Sequence, residues 1–415
     1  MPEPARRILL ADGDAFYVAV ARMVDPDGAG KAPLLIVGGT RETRGVVCSA
    51  SWETRKFGVR SGMPIARALR LCPDAMCVPV PRKACSARHH EIREVLERFS
   101  PIVEGASIDE WYLDMGGTEG VYHHEPLRTT AHRIRDAVRD ATSLSVSIGG
   151  GTNKLVAKLA VERAKPKPGT GADGVHIVEP GTEEEFLRTF TLAELPLVGP
   201  KFQERLAKLG MKTVPDVLEH DLPTLHGWFG EREAEWLWDR VHGRSDSGVD
   251  TGGDQKSMSR DETFPEDLHD DADLDHELVA LVTRVAFDLR SDGVAARTIT
   301  VKIRDRDFRT RSARRTLNEP VVSDRVILRV ARELLTKLRD ARRVPARLLG
   351  VALSSLAHDP KADQLKLFRA RGEASGETER DRLVARTVDR VRDKFGAKGI
   401  IPASLTTTHN SEPKR

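Results

Sequence analysis

Residues 256–358 alternate between strand-like and helix-like hydrophobic patterns, in an order that few folds can accommodate. Helix patterns occur at 274–290 and 322–340, and strand patterns occur at 256–264, 297–304, about 309–317 and 347–356. This order predicts a β-α-β-β-α-β unit. In the strand at 297–304, Ile299, Val301 and Ile303 share one face, whereas polar and basic residues occupy the other. We therefore expect a sheet with one buried side and one basic side.

The same region separates acidic from basic residues. Residues 297–315 carry eight Arg or Lys and two Asp, and residues 261–277 carry nine acidic residues and no Arg or Lys, while the whole chain has a net charge of +3. Such segregation is typical of a protein that presents a basic face to a polyanion, although a charge run can also be a solvated surface. No apolar run approaches the roughly 18 residues that a membrane span needs. We expect a soluble, cytoplasmic protein that does not bind membranes.

Near the N-terminus, a short apolar strand at 8–11 ends in Asp12, Gly13 and Asp14. Strand-like residues flank a second acidic pair, Asp109 and Glu110. Neighbouring side chains on a regular strand face opposite ways, so these two acids can serve one site only if the backbone bends, which predicts a hairpin with the acids at its tip. Helix patterns at 88–99, about 126–141 and about 153–164, with a strand at about 144–149, predict an α/β unit.

Asp12, Asp109 and Glu110 are suitable ligands for Mg²⁺, which prefers hard oxygen donors. Two divalent ions held roughly 3.5–4 Å apart can catalyse nucleotidyl transfer. Acids at strand ends are often turn caps or solvated charges instead, so the acids alone do not establish catalysis.

The segments around these acids resemble the Y-family DNA polymerases and, within them, the bacterial DNA polymerase IV branch. Residues 11–17 (ADGDAFY) resemble the first catalytic motif of that family, and residues 107–114 (SIDEWYLD) resemble the second. Between them lie residues 49–59 (SASWETRKFGV), and the similarity continues through 153–158 (NKLVAK) and 164–166 (AKP) to about residue 368.

The resemblance implies a role for each matching residue. Asp12, Asp109 and Glu110 become catalytic residues and metal ligands, and Gly13 adds its backbone carbonyl. Tyr17 becomes the residue that excludes ribonucleotides, although it could instead be a core aromatic of the first helix. The implied nucleotide-binding residues are Phe16, Tyr17, Ser49, Trp52, Arg55 and Lys165. Most family members have tyrosine where Trp52 stands and a bulkier residue where Gly13 stands.

Two further patterns lie at residues 149–165, well after the second motif. Gly149, Gly150 and Gly151 fail the spacing of a phosphate-binding loop, so we interpret them as a turn that caps the next helix. On that helix the lysines at 154, 158 and 165 recur at intervals of four and seven and share one face. They predict either phosphate contacts or a solvated stripe.

The remaining predicted contacts are with DNA and a partner protein. Residues 195–201 (LPLVGPK) resemble the turn of a helix-hairpin-helix, which predicts DNA phosphate binding near Gly199 and Lys201. Lys302 and Arg304, on the basic side of the predicted sheet, are expected to bind DNA as well. A segment at 364–368 resembles the peptide by which bacterial polymerases bind the sliding clamp. Its expected contact residues are Gln364, Leu365, Leu367 and Phe368.

The patterns predict a multidomain α+β protein, and the resemblance implies that it is a right-hand polymerase, which we expect to work as a monomer. The expected domains are a palm (1–20 and 79–182), fingers (21–78), a helical thumb (183–242), a linker (243–255), a β-α-β-β-α-β little finger (256–358) and a tail (359–415). The expected function is low-fidelity, translesion extension of primed DNA with deoxynucleoside triphosphates and two Mg²⁺ ions. A non-catalytic polymerase-like adaptor that binds DNA and the clamp is the alternative, and a nucleotidyl cyclase on a related palm is a further one.

Overall fold

The computed structural model describes residues 6–41, 44–166, 169–253, 255–358, 376–396 and 399–406. The chain divides into two compact units, Met1–Gly253 (unit 1) and Asp254–Arg415 (unit 2). Across the described ranges, no helix combines the length and the apolar character that crossing a membrane would require. The predicted clamp-binding residues 364–368 lie outside the described ranges.

Unit 1 combines two sheets with a set of helices. Its strands are β1 (Ile8–Gly13), β2 (Leu35–Gly38), β3 (Ser49–Ala50), β4 (Met76–Pro79), β5 (Ile102–Gly105), β6 (Glu110–Asp114), β7 (Val146–Gly151) and β8 (Val175–Ile177). Its helices are α1 (Phe16–Val24), α2 (Trp52–Arg55), α3 (Ile65–Leu71), α4 (Arg82–Leu96), α5 (Leu127–Thr142), α6 (Lys154–Ala164), α7 (Glu183–Leu187), α8 (Pro200–Lys208), α9 (Val214–Leu218), α10 (Leu222–Phe229) and α11 (Glu231–Val241).

Strand β1 lies at the centre of a five-stranded sheet with the order β5-β6-β1-β7-β8. Leu9 and Ala11 belong to a core that includes residues of α1, α4 and α5. Ile8 and Leu10 point the other way and pack on α6. Because successive side chains of a strand alternate between faces, this apolar run is buried on both sides, as predicted. Asp12 is thereby delivered at the strand's end.

The predicted acidic hairpin is present. Strands β5 and β6 pair antiparallel, Asp109 lies in their connection, and Glu110 begins β6. The backbone N–H of Gly13 donates to the carbonyl oxygen of Asp109 at 2.8 Å. Asp12 is directly opposite Glu110 in the pairing of β1 with β6. The hairpin therefore brings both acidic motifs to one edge of the sheet.

The prediction that the three consecutive glycines form a turn is wrong, because Gly149, Gly150 and Gly151 lie within β7. A Cβ on Gly149 would lie 2.1 Å from the backbone nitrogen of Val161 and 2.3 Å from the carbonyl oxygen of Ala157. Glycine at this position lets α6 approach the sheet closely. The residue that caps α6 is Asn153, whose side chain accepts a hydrogen bond from the backbone N–H of Val156.

Two smaller assemblies complete unit 1. A three-stranded sheet with the order β3-β2-β4 contains a parallel pair, β2 with β4, and packs around Ile36 and Ile65. Helices α8 to α11 surround a separate core that includes Leu206 and Leu237. After α11, the carbonyl oxygen of Gly243 accepts a hydrogen bond from the Asn153 side chain at 2.7 Å.

Unit 2 has the predicted β-α-β-β-α-β order. Its elements are β9 (Ser257–Leu268), α12 (Asp271–Ser291), β10 (Val294–Asp305), β11 (Thr310–Val321), α13 (Asp324–Ala341), β12 (Ala346–His358) and a further helix, α14 (Glu379–Phe395). The sheet order is β11-β10-β12-β9, with every pair antiparallel. Ile299, Val301 and Ile303 are fully buried in the core with α12 and α13, which confirms the predicted dry side of this sheet.

Candidate active site

A cavity of about 210 Å³ lies at the end of β1. All of the residues predicted to bind metal or nucleotide line it: Asp12, Gly13, Phe16, Tyr17, Ser49, Trp52, Arg55, Asp109, Glu110 and Lys165. The acidic residues come from β1 and the β5–β6 hairpin, and the remaining residues come from α1, β3, α2 and the end of α6. The cavity therefore joins an acidic edge to a basic wall.

The acidic edge consists of Asp12, Asp109 and Glu110. Asp12 is buried, and burial raises its pKa to about 6, although Lys165 and Lys158 act to lower it. Asp109 is more exposed and accepts a hydrogen bond from the Ser107 hydroxyl at 2.6 Å. These acids differ in solvation although they share one cavity.

Two lysines from α6 and its end neutralise this edge. Lys158 Nζ lies 2.7 Å from Glu110 Oε1 and 3.7 Å from Asp12 Oδ2. Lys165 Nζ lies 3.1 Å from Asp12 Oδ2 and 2.6 Å from Glu162 Oε1. Burial acts to lower the pKa of Lys165, but Asp12 and Glu162 hold that pKa above its ordinary value. Lys165 is therefore held as a charged ammonium in the cavity.

The third lysine of the predicted stripe has another role. Lys154 pairs with Glu104 at 2.5 Å and lies 5.0 Å from the centre of the Tyr112 ring. It does not line the cavity. Of the three lysines, Lys154 therefore forms a structural ion pair, whereas Lys158 and Lys165 line the cavity.

The basic wall is organised around Arg55. Its Nε donates to the carbonyl oxygen of Ala50 at 2.9 Å, and a terminal nitrogen lies 3.4 Å from Ser49 Oγ. The guanidinium carbon lies 4.7 Å from the centre of the Trp52 ring, within the range of a cation–π interaction. Burial lowers the pKa of Arg55. The hydrogen bonds and the indole ring together fix the direction of this cation.

Tyr17 and Phe16 begin α1 beside the acids. Phe16 is buried in the sheet core, and Tyr17 is half-buried with its ring edge-to-face on Phe16 at 5.9 Å. Burial raises the pKa of the Tyr17 hydroxyl, and Asp109 adds to the effect. A Cβ on Gly13 would lie 3.1 Å from the Cβ of Phe16, so Phe16 occupies the room that a bulkier residue 13 would need.

Three polar residues that line this cavity were not predicted as site residues: Asp14, Glu162 and Ser61. Asp14 accepts hydrogen bonds from the hydroxyls of Ser145 and Ser147 at 2.8 and 2.6 Å, which tie the end of β1 to β7. Glu162 contacts Lys165 as described above. Ser61 lines the cavity from the loop before α3. Only Asp14 had a sequence signal, since it lies within the first acidic motif.

The donors at the acidic edge are chemically suited to a divalent ion of the Mg²⁺ type, since carboxylate and carbonyl oxygens are its preferred ligands. Within the described residues, however, no group of three or more His, Cys, Asp or Glu side chains converges as a metal site. Lysine ammonium groups contact two of the acids instead. An ion bound by all three acids would compete with Lys158 for Glu110 Oε1 and with the Ser107 hydroxyl for Asp109 Oδ1.

Of the residues predicted to bind DNA, Gly199 and Lys201 belong to unit 1 but do not line this cavity, and Lys302 and Arg304 belong to unit 2. Gly199 is the N-cap of α8, and Lys201 is exposed in its first turn. In the preceding turn, Leu197 has a φ of 67° and is 79% exposed. Lys302 contacts Asp261, and Arg304 Nε donates to the Thr310 hydroxyl at 2.9 Å. The positive charge of Lys302 is therefore partly neutralised within unit 2.

Internal ion pairs offset part of the charge segregation in unit 2. Within the described residues, three of the eight cations at 297–315 contact carboxylates: Lys302 with Asp261, Arg311 with Asp305, and Arg315 with Glu333. The acidic segment supplies further partners for arginines of α12 and α13. The basic face is thus smaller than the sequence suggests.

Comparisons with known proteins agree with this architecture. Residues 11–162 match the impB/mucB/samB family, and residues 255–367 match the C-terminal domain of that family. The chain is 34% identical to a DNA polymerase IV of Gluconobacter oxydans (strain 621H), over 88% of this chain and 99% of the relative. It is also 35% identical to a DNA polymerase IV of Halorhodospira halophila, again over 88% of this chain and 99% of the relative.

Solved structures give the same result. A Y-family DNA polymerase chimera of Dbh and Dpo4 is similar with a TM-score of 0.73 and 25% identity, over 85% of this chain and 100% of the chimera. DinB from Sulfolobus solfataricus is similar with a TM-score of 0.56 and 26% identity, over 84% of this chain and 98% of that protein. These matches confirm the predicted multidomain α+β polymerase fold. The chain therefore belongs to the Y-family DNA polymerases, within the branch of the bacterial DNA polymerase IV enzymes.

Proposed function

We propose that this DNA-directed DNA polymerase extends primer 3′ ends on a DNA template by a two-metal mechanism, with low fidelity and across damaged bases. The observation that carries the proposal is the single cavity in which Asp12, Asp109 and Glu110 face Arg55 and Lys165. Acids suit divalent ions, and a guanidinium with an ammonium suits the triphosphate. When bound, two Mg²⁺ ions would stabilise charge on the attacking and leaving oxygens.

In this mechanism the residues that line the cavity would have separate roles. Asp12, Asp109, Glu110 and the Gly13 carbonyl would hold the ions. Arg55 and Lys165 would receive the triphosphate, with Ser49 and Trp52 setting the direction of Arg55 through the contacts given above. The ring of Tyr17 would lie against the sugar. Phe16, being buried, would act through Tyr17 and Gly13 and not through its own contact with the nucleotide.

We assign the remaining surfaces by chemistry. Gly199 and Lys201 would hold a DNA phosphate, and Arg304 would contact DNA from the outer side of the unit 2 sheet, with Lys302 shared between DNA and Asp261. The proposed domains keep the boundaries given in the sequence analysis. The segment 364–368 would bind a sliding clamp, and deleting it should remove stimulation by the clamp while clamp-free extension remains.

Primer extension by purified protein tests the central proposal. Asp109→Ala should abolish extension while binding of primed DNA is largely retained, because basic surfaces supply most DNA affinity. Asp114→Ala is the matched control, since Asp114 ends β6, the strand that follows Asp109, does not line the cavity and should be dispensable for extension. Extension by a pure Asp109→Ala sample would rule out the assignment, and wild-type protein that binds primed DNA without extending it would favour a non-catalytic adaptor.

A further inference from the structure

Lys158 contacts two acids that we propose as metal ligands. Its ammonium lies 2.7 Å from Glu110 Oε1 and 3.7 Å from Asp12 Oδ2. Within the described part of the chain, Lys158 is the one cation at ion-pair distance from Glu110. Its side chain is 26% exposed, so its interaction with the carboxylates is screened less than that of a surface pair.

The packing of α6 on the sheet fixes the origin of this side chain. Ala157 and Val161, on the turn that carries Lys158, pack against Ile8 and Leu10 of β1. The backbone of the same turn closely approaches Gly149 of β7. Because α6 cannot move away from the sheet without losing this contact, the ammonium of Lys158 is held near the acidic edge.

We propose that Lys158 is a positioning residue whose ammonium neutralises Glu110 and Asp12 before a divalent ion binds and then competes with that ion for the same oxygens. The proposal rests on the proposed function, because it takes Asp12 and Glu110 as metal ligands. An ion that binds Glu110 displaces the ammonium, which stays in a cavity that also contains Arg55 and Lys165. Arg55 and Lys165 would bind the triphosphate, whose negatively charged oxygens can then pair with the displaced ammonium of Lys158.

This exchange predicts coupling between metal and nucleotide. Without nucleotide, Lys158 disfavours the divalent ion in two ways: it occupies carboxylate oxygens and it repels a second positive charge. With nucleotide, the phosphate charge offsets the repulsion and provides the ammonium with a new partner. Lys158 therefore makes tight metal binding depend on the arrival of the triphosphate.

Lys154 provides a matched control on the same helix. It lies one turn before Lys158, and its ammonium pairs with Glu104 and packs over Tyr112 outside the cavity. Replacing either lysine with methionine removes one positive charge from the same face of α6. Only the change at Lys158 should alter affinity for the divalent ion.

The test measures Mn²⁺ binding to the full chain by electron paramagnetic resonance of the free ion. Without nucleotide, Lys158→Met should bind Mn²⁺ at least about tenfold more tightly than wild type. A non-hydrolysable deoxynucleoside triphosphate analogue should reduce this difference in Mn²⁺ affinity between the variant and wild type. Lys154→Met and the charge-conserving Lys158→Arg should keep the wild-type affinity. Unchanged or weaker Mn²⁺ binding by Lys158→Met would overturn the proposal, and Lys158→Gln provides the same test should the methionine variant fail to fold.

Glu110→Gln separates failure of this proposal from failure of the proposed function. If Glu110→Gln binds Mn²⁺ as tightly as wild type, Glu110 is not a metal ligand, and both the metal assignment and the role of Lys158 are overturned. If Glu110→Gln binds Mn²⁺ weakly while Lys158→Met matches wild type, the metal assignment stands and only the role of Lys158 is lost.

Discussion

Trp52 has a clear physical role at the position where most relatives are expected to have tyrosine. Its indole ring lies under the guanidinium of Arg55, which is also hydrogen-bonded to Ala50 and near the Ser49 hydroxyl. Tryptophan provides the most favourable ring face for a cation–π contact. Compared with tyrosine, Trp52 therefore lacks a hydroxyl donor but makes a stronger cation–π contact with Arg55.

At the same scale, Tyr17→Ala should relax sugar selection. In the proposed site the Tyr17 ring excludes a 2′-hydroxyl by collision, so shortening it should raise ribonucleotide relative to deoxynucleotide incorporation by at least about tenfold, or about 1.4 kcal/mol. Single-nucleotide insertion kinetics with paired substrates on one template measure this ratio. Tyr17→Phe keeps the ring and should keep the selection. An unchanged ratio in active Tyr17→Ala would mean that another residue selects the sugar.

Leu197 adopts a backbone conformation that disfavours a leucine, with a φ of 67° and its side chain mostly exposed. Left-handed φ costs a side-chain-bearing residue roughly 1–2 kcal/mol, whereas glycine adopts it freely but loses more chain entropy on folding. Leu197→Gly should therefore raise the free energy of unfolding by up to about 1 kcal/mol. Urea unfolding followed by tryptophan fluorescence measures the change.

Leu197→Ala is the control for that experiment, because alanine keeps the strain and removes the side chain. It should be close to neutral. Leu197 also lines a cavity with Phe202 and Trp236. If both variants lower stability, the leucine side chain contributes more through this contact than its backbone costs.

The sequence predicted which residues meet at the candidate site but not how they pair. The motifs predicted that Asp12, Asp109 and Glu110 share one site, and the pairing of β1 with β6 brings them together. The contact of Lys158 with Glu110 joins residues 48 positions apart, and the helical stripe could not distinguish it from Lys154. Side-chain partners across elements depend on how α6 lies on the sheet, which no local pattern encodes.

At the scale of elements, α6 depends on the residue that precedes it. Asn153 accepts a hydrogen bond from the Val156 N–H at 3.0 Å and donates one to the Gly243 carbonyl at 2.7 Å, and it is buried. One side chain thus caps α6 and secures the chain after α11.

Asn153→Ala should lower the free energy of unfolding by about 2–3 kcal/mol, because it removes the cap and leaves a buried carbonyl without its donor. Asn153→Ser keeps a neutral acceptor for the cap but is too short to donate to Gly243, so its loss should be smaller. Urea titration of both variants compares the two contributions. Equal losses would show that the cap contributes little.

Hydrophobic periodicity predicted long elements better than short ones. The helix predicted at 274–290 is α12, Asp271–Ser291, and the four strands of unit 2 were also placed correctly. The three-stranded sheet was not predicted as a sheet, since β3 has two residues and β2 pairs in parallel with β4 across about 40 positions of sequence. Such short strands carry too little periodicity to reveal their partners.

At the scale of each whole unit, α14 is joined to α12 of unit 2 by a buried ion pair. Arg290 of α12 is almost fully buried, and its guanidinium contacts both carboxylate oxygens of Asp389 on α14, at 2.5 and 2.9 Å. Asp324 and the Val322 carbonyl provide its other contacts. Glu377, just before α14, accepts hydrogen bonds from the backbone N–H groups of Val322 and Ser323 at the start of α13.

Asp389→Ala should destabilise unit 2 by about 3 kcal/mol, since it leaves a buried guanidinium short of a carboxylate. Hydrogen exchange followed by mass spectrometry should show faster exchange in α12 and α13, with β7 of unit 1 unchanged. Asp393→Ala, at an exposed position one turn later on α14, should have no such effect. Equal exchange in the two variants would mean that α14 adds little to the stability of unit 2.

The same ion pair has a consequence for synthesis on the ribosome. Asp389 follows Arg290 by 99 residues, and a ribosome adds roughly 5–20 residues per second. Asp389 is therefore synthesised on the order of 5–20 s after Arg290, and β10, β11, α13 and β12 are made in that interval. Through that interval the nascent unit carries an Arg290 guanidinium that lacks one of its two carboxylate partners. Pauses in translation between codons 290 and 389 should lengthen this interval.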